Sequence, residues 1–432
     1  MAKIDTGDTA WLIVSSALVL LMTPALALFY GGMVKRKNVL STLMHSMAAI
    51  PILSVTWALY GYSLAFGPTK HGLIGGLDYA GMIGLAGEAH GTVPALAFAA
   101  FQMMFAVITP ALISGAFAER MKFSAYVVFI LLWSTLVYDP VAHWVWADGG
   151  WLLKLGALDF AGGTVVHLTA GVSALVCAIV IGKRAGYPQR RSLPHDLTMT
   201  IVGAGLLWFG WFGFNSGSAL SSGQLAALAF VTTHLGAAGG ALGWLVVEWR
   251  HRGKPTALGV ASGLVAGLVA ITPAAGYVAP WAAIVIGFTA GGVCYGAVLL
   301  KNRFGYDDSL DAFGVHGVGG LAGALLTGVF AQKALNDAGA DGALFGNVRQ
   351  LGIQAIACAA TGLYAAVVTF GILRFIQATF GLRVAESDER EGLDVTQHGE
   401  EAYGESSGGM SHEREEETPQ AAPVTTSEAA AE

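Results

Sequence analysis

Asp159 stands eight residues before His167, and Asp308 stands eight residues before His316. Each pair opens a long apolar stretch, and the two pairs occupy matching places in the two halves of the chain. Ionisable groups are costly inside a bilayer and mark routes for ions or protons. A pair that recurs once per half predicts a transporter built from an internal repeat, with its pathway at the repeat interface. Two neutral imidazoles that faced each other could share a hydrogen bond and line a narrow pore, each ring offering a donor or acceptor to a small polar solute or a relayed proton. The competing reading is a pair of structural histidines, each satisfied by a hydrogen bond. A metal site fits poorly, because no Cys or carboxylate ligand set accompanies them. Asp159 precedes Phe160-Ala-Gly-Gly-Thr164, so its carboxylate could cap a helix start or attract a cation from nearby. Asp308 carries the same two readings and leans towards the structural one.

Other residues could serve a cation. Trp146, Phe101, Phe105, Trp211 and Phe214 flank the segments around the repeat, and aromatic faces attract cations. Most of the aromatic residues must nonetheless be packing or interfacial belts. Ser218, at the end of Asn215-Ser-Gly-Ser218, could accept a hydrogen bond from a cation or simply satisfy a helix end. The remaining histidines, His90 among them, form no interpretable cluster. No phosphate loop, dinucleotide fingerprint or nucleophile elbow stands in a convincing context, so neither a cofactor nor an enzyme is expected.

The elements that hold these residues are membrane helices. The chain of 432 residues is 54% hydrophobic and 12% charged, with mean hydropathy +0.60. That charged fraction is about half that of a soluble domain. Fifty-nine glycines fit a bundle whose helix backbones approach closely in lipid. Apolar stretches predict about eleven membrane segments, near 10–34, 39–66, 94–118, 123–144, 161–182, 196–217, 224–249, 256–273, 277–301, 312–331 and 348–380,. Basic clusters follow the odd-numbered segments: Lys35-Arg36-Lys37, Arg120 with Lys122, Lys183-Arg184 with Arg190-Arg191, Arg250 with Arg252 and Lys254, Lys301 with Arg303, and Arg383. The positive-inside rule then places the N-terminus outside and the C-terminus in the cytoplasm. Segments one to five and six to ten run in opposite orientation, as inverted repeats require, and segment eleven is an addition. The first segment lacks a positive region before it, so it reads as a retained helix rather than a signal peptide.

Charge is unevenly placed. Residues 386–432 hold 14 of the 29 acidic residues but only 2 of the 23 basic ones. The membrane body is therefore mildly basic and the tail strongly acidic, and no basic nucleic-acid footprint exists. Three domains are expected: 1–380 in the membrane, a polar cytoplasmic tail at 381–403, to which the resemblance below gives a regulatory role, and a disordered acidic end at 404–432. Cys177, Cys294 and Cys358 lie far apart in apolar stretches and read as packing residues.

Several runs resemble the Amt/Mep/Rh ammonium transporter family. They are Ala27-Leu-Phe-Tyr-Gly-Gly-Met-Val-Lys-Arg-Lys-Asn-Val-Leu40, Ala118-Glu-Arg120, Asp159-Phe-Ala-Gly-Gly-Thr-Val-Val-His167, Trp208-Phe-Gly-Trp-Phe-Gly-Phe-Asn215, Asp311-Ala-Phe-Gly-Val-His-Gly317 and the tail from Gly381 through Tyr403. The resemblance covers nearly all of the chain to about residue 403. It implies a homotrimer in the plasma membrane with one pore per subunit. Trp146, Phe105 and Ser218 would form an external ammonium recruitment site, and Phe105 and Phe214 a gate below it. His167 and His316 would line the pore together with Gln102 and Trp211. Asp159 would support recruitment and deprotonation. Rh members usually lack the Trp and Ser recruitment residues, so Trp146 and Ser218 point to the Amt branch. The tail would couple the pores and meet a PII-type signal protein, or only stabilise the trimer. The competing function is an ammonium sensor on the same fold with little flux. A water channel fits poorly, because Asn-Pro-Ala repeats are missing and the helices are too many.

Overall fold

A computed structural model describes residues 3–189 and 193–403. Arg190 and Arg191 of the basic clusters, and the acidic end at 404–432, lie outside the described residues. Among the described residues, ten helices are long and apolar enough to cross a membrane: α1 Thr6–Met33, α2 Arg36–Phe66, α3 Ala95–Ala116, α4 Phe123–Leu155, α5 Gly163–Ile181, α6 Leu197–Ser216, α7 Gln224–Arg252, α9 Pro280–Phe304, α10 Phe313–Phe330 and α11 Val348–Thr379. The eighth predicted segment is the shorter helix α8, Ala257–Ile271. Its 15 residues rise only about 22 Å. Glu248 and the Thr256 cap fix its start, and Pro273 follows its end in a run of buried turns.

Local sequence sets the ends. Asp5 accepts from the amides of Gly7 and Asp8 at the start of α1, and Asp196 does the same for Met199 in α6. Such caps satisfy amides that a helix start leaves without partners. Proline lies inside α1, α2 and α3 at Pro24, Pro51 and Pro110. A membrane helix tolerates this because neighbouring groups satisfy the backbone that proline frees. Five membrane helices contain a π-helical turn, at Trp57–Gly61, Ser134–Tyr138, Gly163–Leu168, Phe212–Ser216 and Phe313–Gly317. Such turns cost regular hydrogen bonding and gather at functional sites. Three of them carry His167, Phe214 and His316.

Large apolar side chains lie on the outside of the bundle, including Val55, Leu59, Phe209, Leu363, Val367 and Phe370. The interior is packed with alanine, glycine and aromatic rings. Without a hydrophobic drive between helices in lipid, close backbone contact holds them together. The crossing of α5 and α10 shows how. Gly171 lies four residues after His167, and Gly320 four after His316. A Cβ on Gly171 would overlap the backbone of Gly317, and one on Gly320 would stand 2.8 Å from the Gly163 carbonyl. The same spacing on both helices brings their histidine turns together.

Residues 381–402 fold back onto the membrane body. The Lys122 amide donates to the Leu382 carbonyl at 2.9 Å, and the Val384 amide to that of Arg120 at 3.1 Å. Leu382 and Leu393 are buried. Asp394 accepts from the Ser41 amide at 2.8 Å, so a tail carboxylate sits at the start of the main run of α2.

Candidate functional site

The two histidines meet inside the bundle. His167 Nδ1 and His316 Nδ1 are 3.3 Å apart, with ring centroids at 5.4 Å and planes 17° apart. Both rings are buried. In such a pair of neutral imidazoles one Nδ1 donates and the other accepts. Trp211 stacks on His167 at 5.3 Å and is itself fixed by its Nε1 donating to Thr272 Oγ1 at 2.9 Å.

Each histidine turn is anchored by its own aspartate. The Asp159 carboxylate accepts from the amides of Gly162, Gly163, Thr164 and Val165 and from the Thr164 hydroxyl. Asp308 accepts from the amides of Ala312 and Phe313. The repeated Asp-to-His spacing is thus a repeated structural unit. A carboxylate collects the free amides at a helix start, and the imidazole follows on the first π turn.

Opposite the basic clusters lies an open cavity of about 130 Å³, lined by Phe66, His90, Phe98, Gln102, Phe105, Trp146, Phe160, Ser218 and Leu220. Trp146 is held by its Nε1 donating to the Asp159 carbonyl at 2.9 Å, and its ring meets Phe105 edge-on at 6.0 Å. The Ser218 hydroxyl donates to the Phe214 carbonyl at 2.8 Å. Its proton is committed, and its oxygen lone pairs remain as acceptors. Phe105 and Phe214 then close the floor, with centroids 4.2 Å apart.

Beneath that ring pair is a cavity of about 10 Å³, lined by His167, His316, Trp211, Phe214 and apolar side chains such as Leu26, Ile108 and Val265. This is about the space of one water. His316 also lines the next cavity, about 40 Å³, with Phe29, Tyr30 and Asp311. That one shares Met33, Leu258, Ser262, Leu310 and Asp311 with an open chamber of about 610 Å³ on the basic side. The cavities line up through the bundle, interrupted by two phenyl rings, and the smallest of them lies at the imidazoles.

A charged network borders the chamber on the basic side. Arg184 bridges Glu119 at 2.9 Å and Asp307 at 2.8 Å. Buried Arg120 donates to the carbonyls of Gly182 and Asp307 at 2.9 and 2.5 Å. Burial alone would raise the Glu119 and Asp307 carboxyls, but Arg184 outweighs it and holds both below their usual range,. Asp308 differs: burial pushes it up to about 6, against the pull of Lys301.

The structure gathers Trp146, Phe105, Ser218 and Gln102 in the outer cavity and His167, His316, Trp211 and Phe214 in the narrow one. Gln102, expected along the pore, lies on the outer side of the ring pair. One helical turn separates it from Phe98, and three residues from Phe105, so the three share a face. The Asp159 carboxylate does not line the cavity; it is turned into the helix start. Phe101 packs on Phe105 at 4.9 Å instead of facing the outer cavity. Sequence reasoning missed His90, Phe98 and Phe160. The 98–102–105 spacing was a signal for Phe98, but nothing local marked His90.

Membrane-length helices around a row of buried cavities define a multi-pass membrane protein. Residues 10–403 match the model of the Ammonium Transporter Family. The chain is 54% identical over 404 residues to an ammonium transporter of Bacillus subtilis (strain 168), covering 93% of this chain and 99% of that protein. It is 48% identical to the ammonium transporter Amt1 of Archaeoglobus fulgidus, covering 92% and 99%. Among solved structures, Saccharomyces cerevisiae Mep2 superposes with a TM-score of 0.83 at 39% identity, covering 89% of this chain and 91% of that one. A sensor Amt protein superposes at 0.84 with 29% identity, covering 91% and 98%. The chain belongs to the ammonium transporter family. It is a multi-pass protein of the plasma membrane and not an enzyme.

Proposed function

We propose that this chain recruits ammonium in the outer cavity, strips it of a proton and passes ammonia along the narrow file. The observation that carries this reading is the file itself: an aromatic cavity with a hydroxyl acceptor, a closed ring pair, then an apolar passage holding two imidazoles. Ammonium and potassium match in charge and size. Trp146 and Phe105 attract either cation through their faces, but only ammonium can donate to Ser218. An intact cation in the apolar passage bears a heavy desolvation cost. Ammonium avoids it by leaving a proton behind, and potassium has none to leave. The imidazole contact at 3.3 Å offers that proton a route, which makes transport electrogenic. Asp159 serves recruitment and deprotonation by holding Trp146 and the His167 turn and by adding negative charge beneath the cavity.

The basic face is the cytoplasmic one, and the apolar outer faces pack in a homotrimer surrounded by lipid. The tail at 381–403 is a regulatory element, and the chamber beside it is where a PII-type protein would bind. A sensor with little flux is the second reading, favoured by the likeness to the sensor Amt protein. The test is current from protein in supported liposomes after an ammonium jump, with potassium as control, for the native protein and Asp159→Ala. Native ammonium current that the variant loses supports electrogenic transport. No current but clear ammonia-driven pH change means net ammonia conduction. Neither signal sinks the transport reading and leaves the sensor.

A further inference from the structure

His90 has no part in the site so far, yet it forms one wall of the outer cavity. It sits on a short hairpin in which Ala89–His90 pairs with Val93–Pro94, turned at Gly91, whose φ is +60°. Its ring lies flat on Phe98, centroids 3.7 Å apart and planes 14° apart. Phe98 in turn meets Phe66 edge-on at 5.1 Å. Phe98, Gln102 and Phe105 share one face of α3, so the imidazole caps an aromatic ladder that leads down to the gate. This is a fixed position, since the Asp5 amide donates to the Thr92 carbonyl and the Thr92 hydroxyl donates to Asp8.

We propose that His90 sets the affinity of the outer cavity for ammonium: neutral, it completes the aromatic wall, and protonated, it repels the incoming cation. The proposal rests on the transport reading above. An uncharged imidazole presents a π face and a ring nitrogen that can accept from an ammonium N–H. An imidazolium in the same wall puts a like charge beside the recruitment site, where water only partly screens it. The charged group that acts on it is Asp148, on the segment after Trp146; Glu88 lies two residues before it, just outside the strand, and Asp8 accepts from Thr92, two residues after it. Partial burial holds the imidazole below its usual value, and Asp148 opposes that,. The ring is therefore neutral at neutral external pH and becomes charged as the outside turns acid. By linkage, bound ammonium makes that protonation harder still.

The test is the KM for ammonium current in supported liposomes, with the outer face held at about pH 8 and then about pH 5. It uses the full chain, His90→Gln and His90→Lys. The native KM should rise on acidification by on the order of five- to ten-fold, the effect of one partly screened charge several ångströms away. His90→Gln should lose that rise, and His90→Lys should show a raised KM at both pH values. The change should fall in KM more than in maximal current, which a merely misfolded variant would not reproduce. A native KM that does not move, an unaltered rise in His90→Gln, or a low KM in His90→Lys overturns the assignment and leaves transport standing. Absence of any saturable native current overturns the transport reading and this one with it.

Discussion

On the proposed reading, single side chains divide the work by depth. In the outer cavity the cation would keep its charge, so aromatic faces and one acceptor oxygen would suffice. Trp146→Leu should raise the KM for ammonium current by about 3- to 30-fold, the range of one partly desolvated cation–π contact. Current titrations with ammonium check it, and an unchanged KM would remove Trp146 from the recruitment site. Deeper, only a polar pair in an apolar passage is needed. His316→Leu removes the Nδ1 contact with His167. It leaves the buried His167 Nδ1 without that partner, which costs about 1–3 kcal/mol, so the variant should still fold, with a modestly lower melting temperature. Its ammonium current should fall to the background. A full native current would show that the proton takes another path.

At the scale of elements, the imidazoles meet because two helices cross at glycine. Gly171→Ala puts a methyl group into the Gly317 backbone, and overpacking of that kind costs about 1–3 kcal/mol. Gly296 in α9 has no atom within 4 Å of an added Cβ, so Gly296→Ala should stay within about 0.5 kcal/mol of native. Thermal melts in detergent compare the two. Equal melting temperatures would mean that the α5–α10 crossing can open without cost, and that the histidine spacing is set elsewhere. The π turns belong to this scale too, because they let Phe214, His167 and His316 leave the regular helical track and face the file.

Across the whole molecule, the charged network on the basic side joins the loops after α3, α5 and α9. Arg184→Met would remove the guanidinium that pairs the buried carboxylates of Glu119 and Asp307, and removing one partner of a buried pair costs about 3–5 kcal/mol. A melting temperature within error of native would contradict this. The same network has a definite pH sign. Both carboxyls lie below their usual values in the fold, so their stabilisation is present above about pH 4.5 and is lost as the pH falls through the folded values. The tail is latched more lightly. Asp394→Ala removes the carboxylate that caps α2, worth about 1 kcal/mol. Limited proteolysis should then cut the tail sooner while the membrane body keeps its melt.

Much of this was legible in the sequence, because lipid makes sequence speak plainly. A spanning helix must be long and apolar, so hydropathy revealed the segments, apart from the shortness of α8. Charges in such segments stand out, so the two Asp-to-His spacings marked the histidine turns before any fold was known. The long motifs identified the family for the same reason. What the residues touch was settled only by packing. Whether Asp159 faced the cavity or the helix start depended on which amides lay nearest, and five donors from its own helix turned it inward. Gln102 fell on the outer side of the Phe105–Phe214 ring pair because the helical phase of α3 groups it with Phe98. His90 gave no signal, since a lone loop histidine gains meaning only from the wall it joins, and that wall is assembled from segments far apart in the chain. Composition and periodicity decide which residues enter the membrane; the close approach of backbones decides which of them meet.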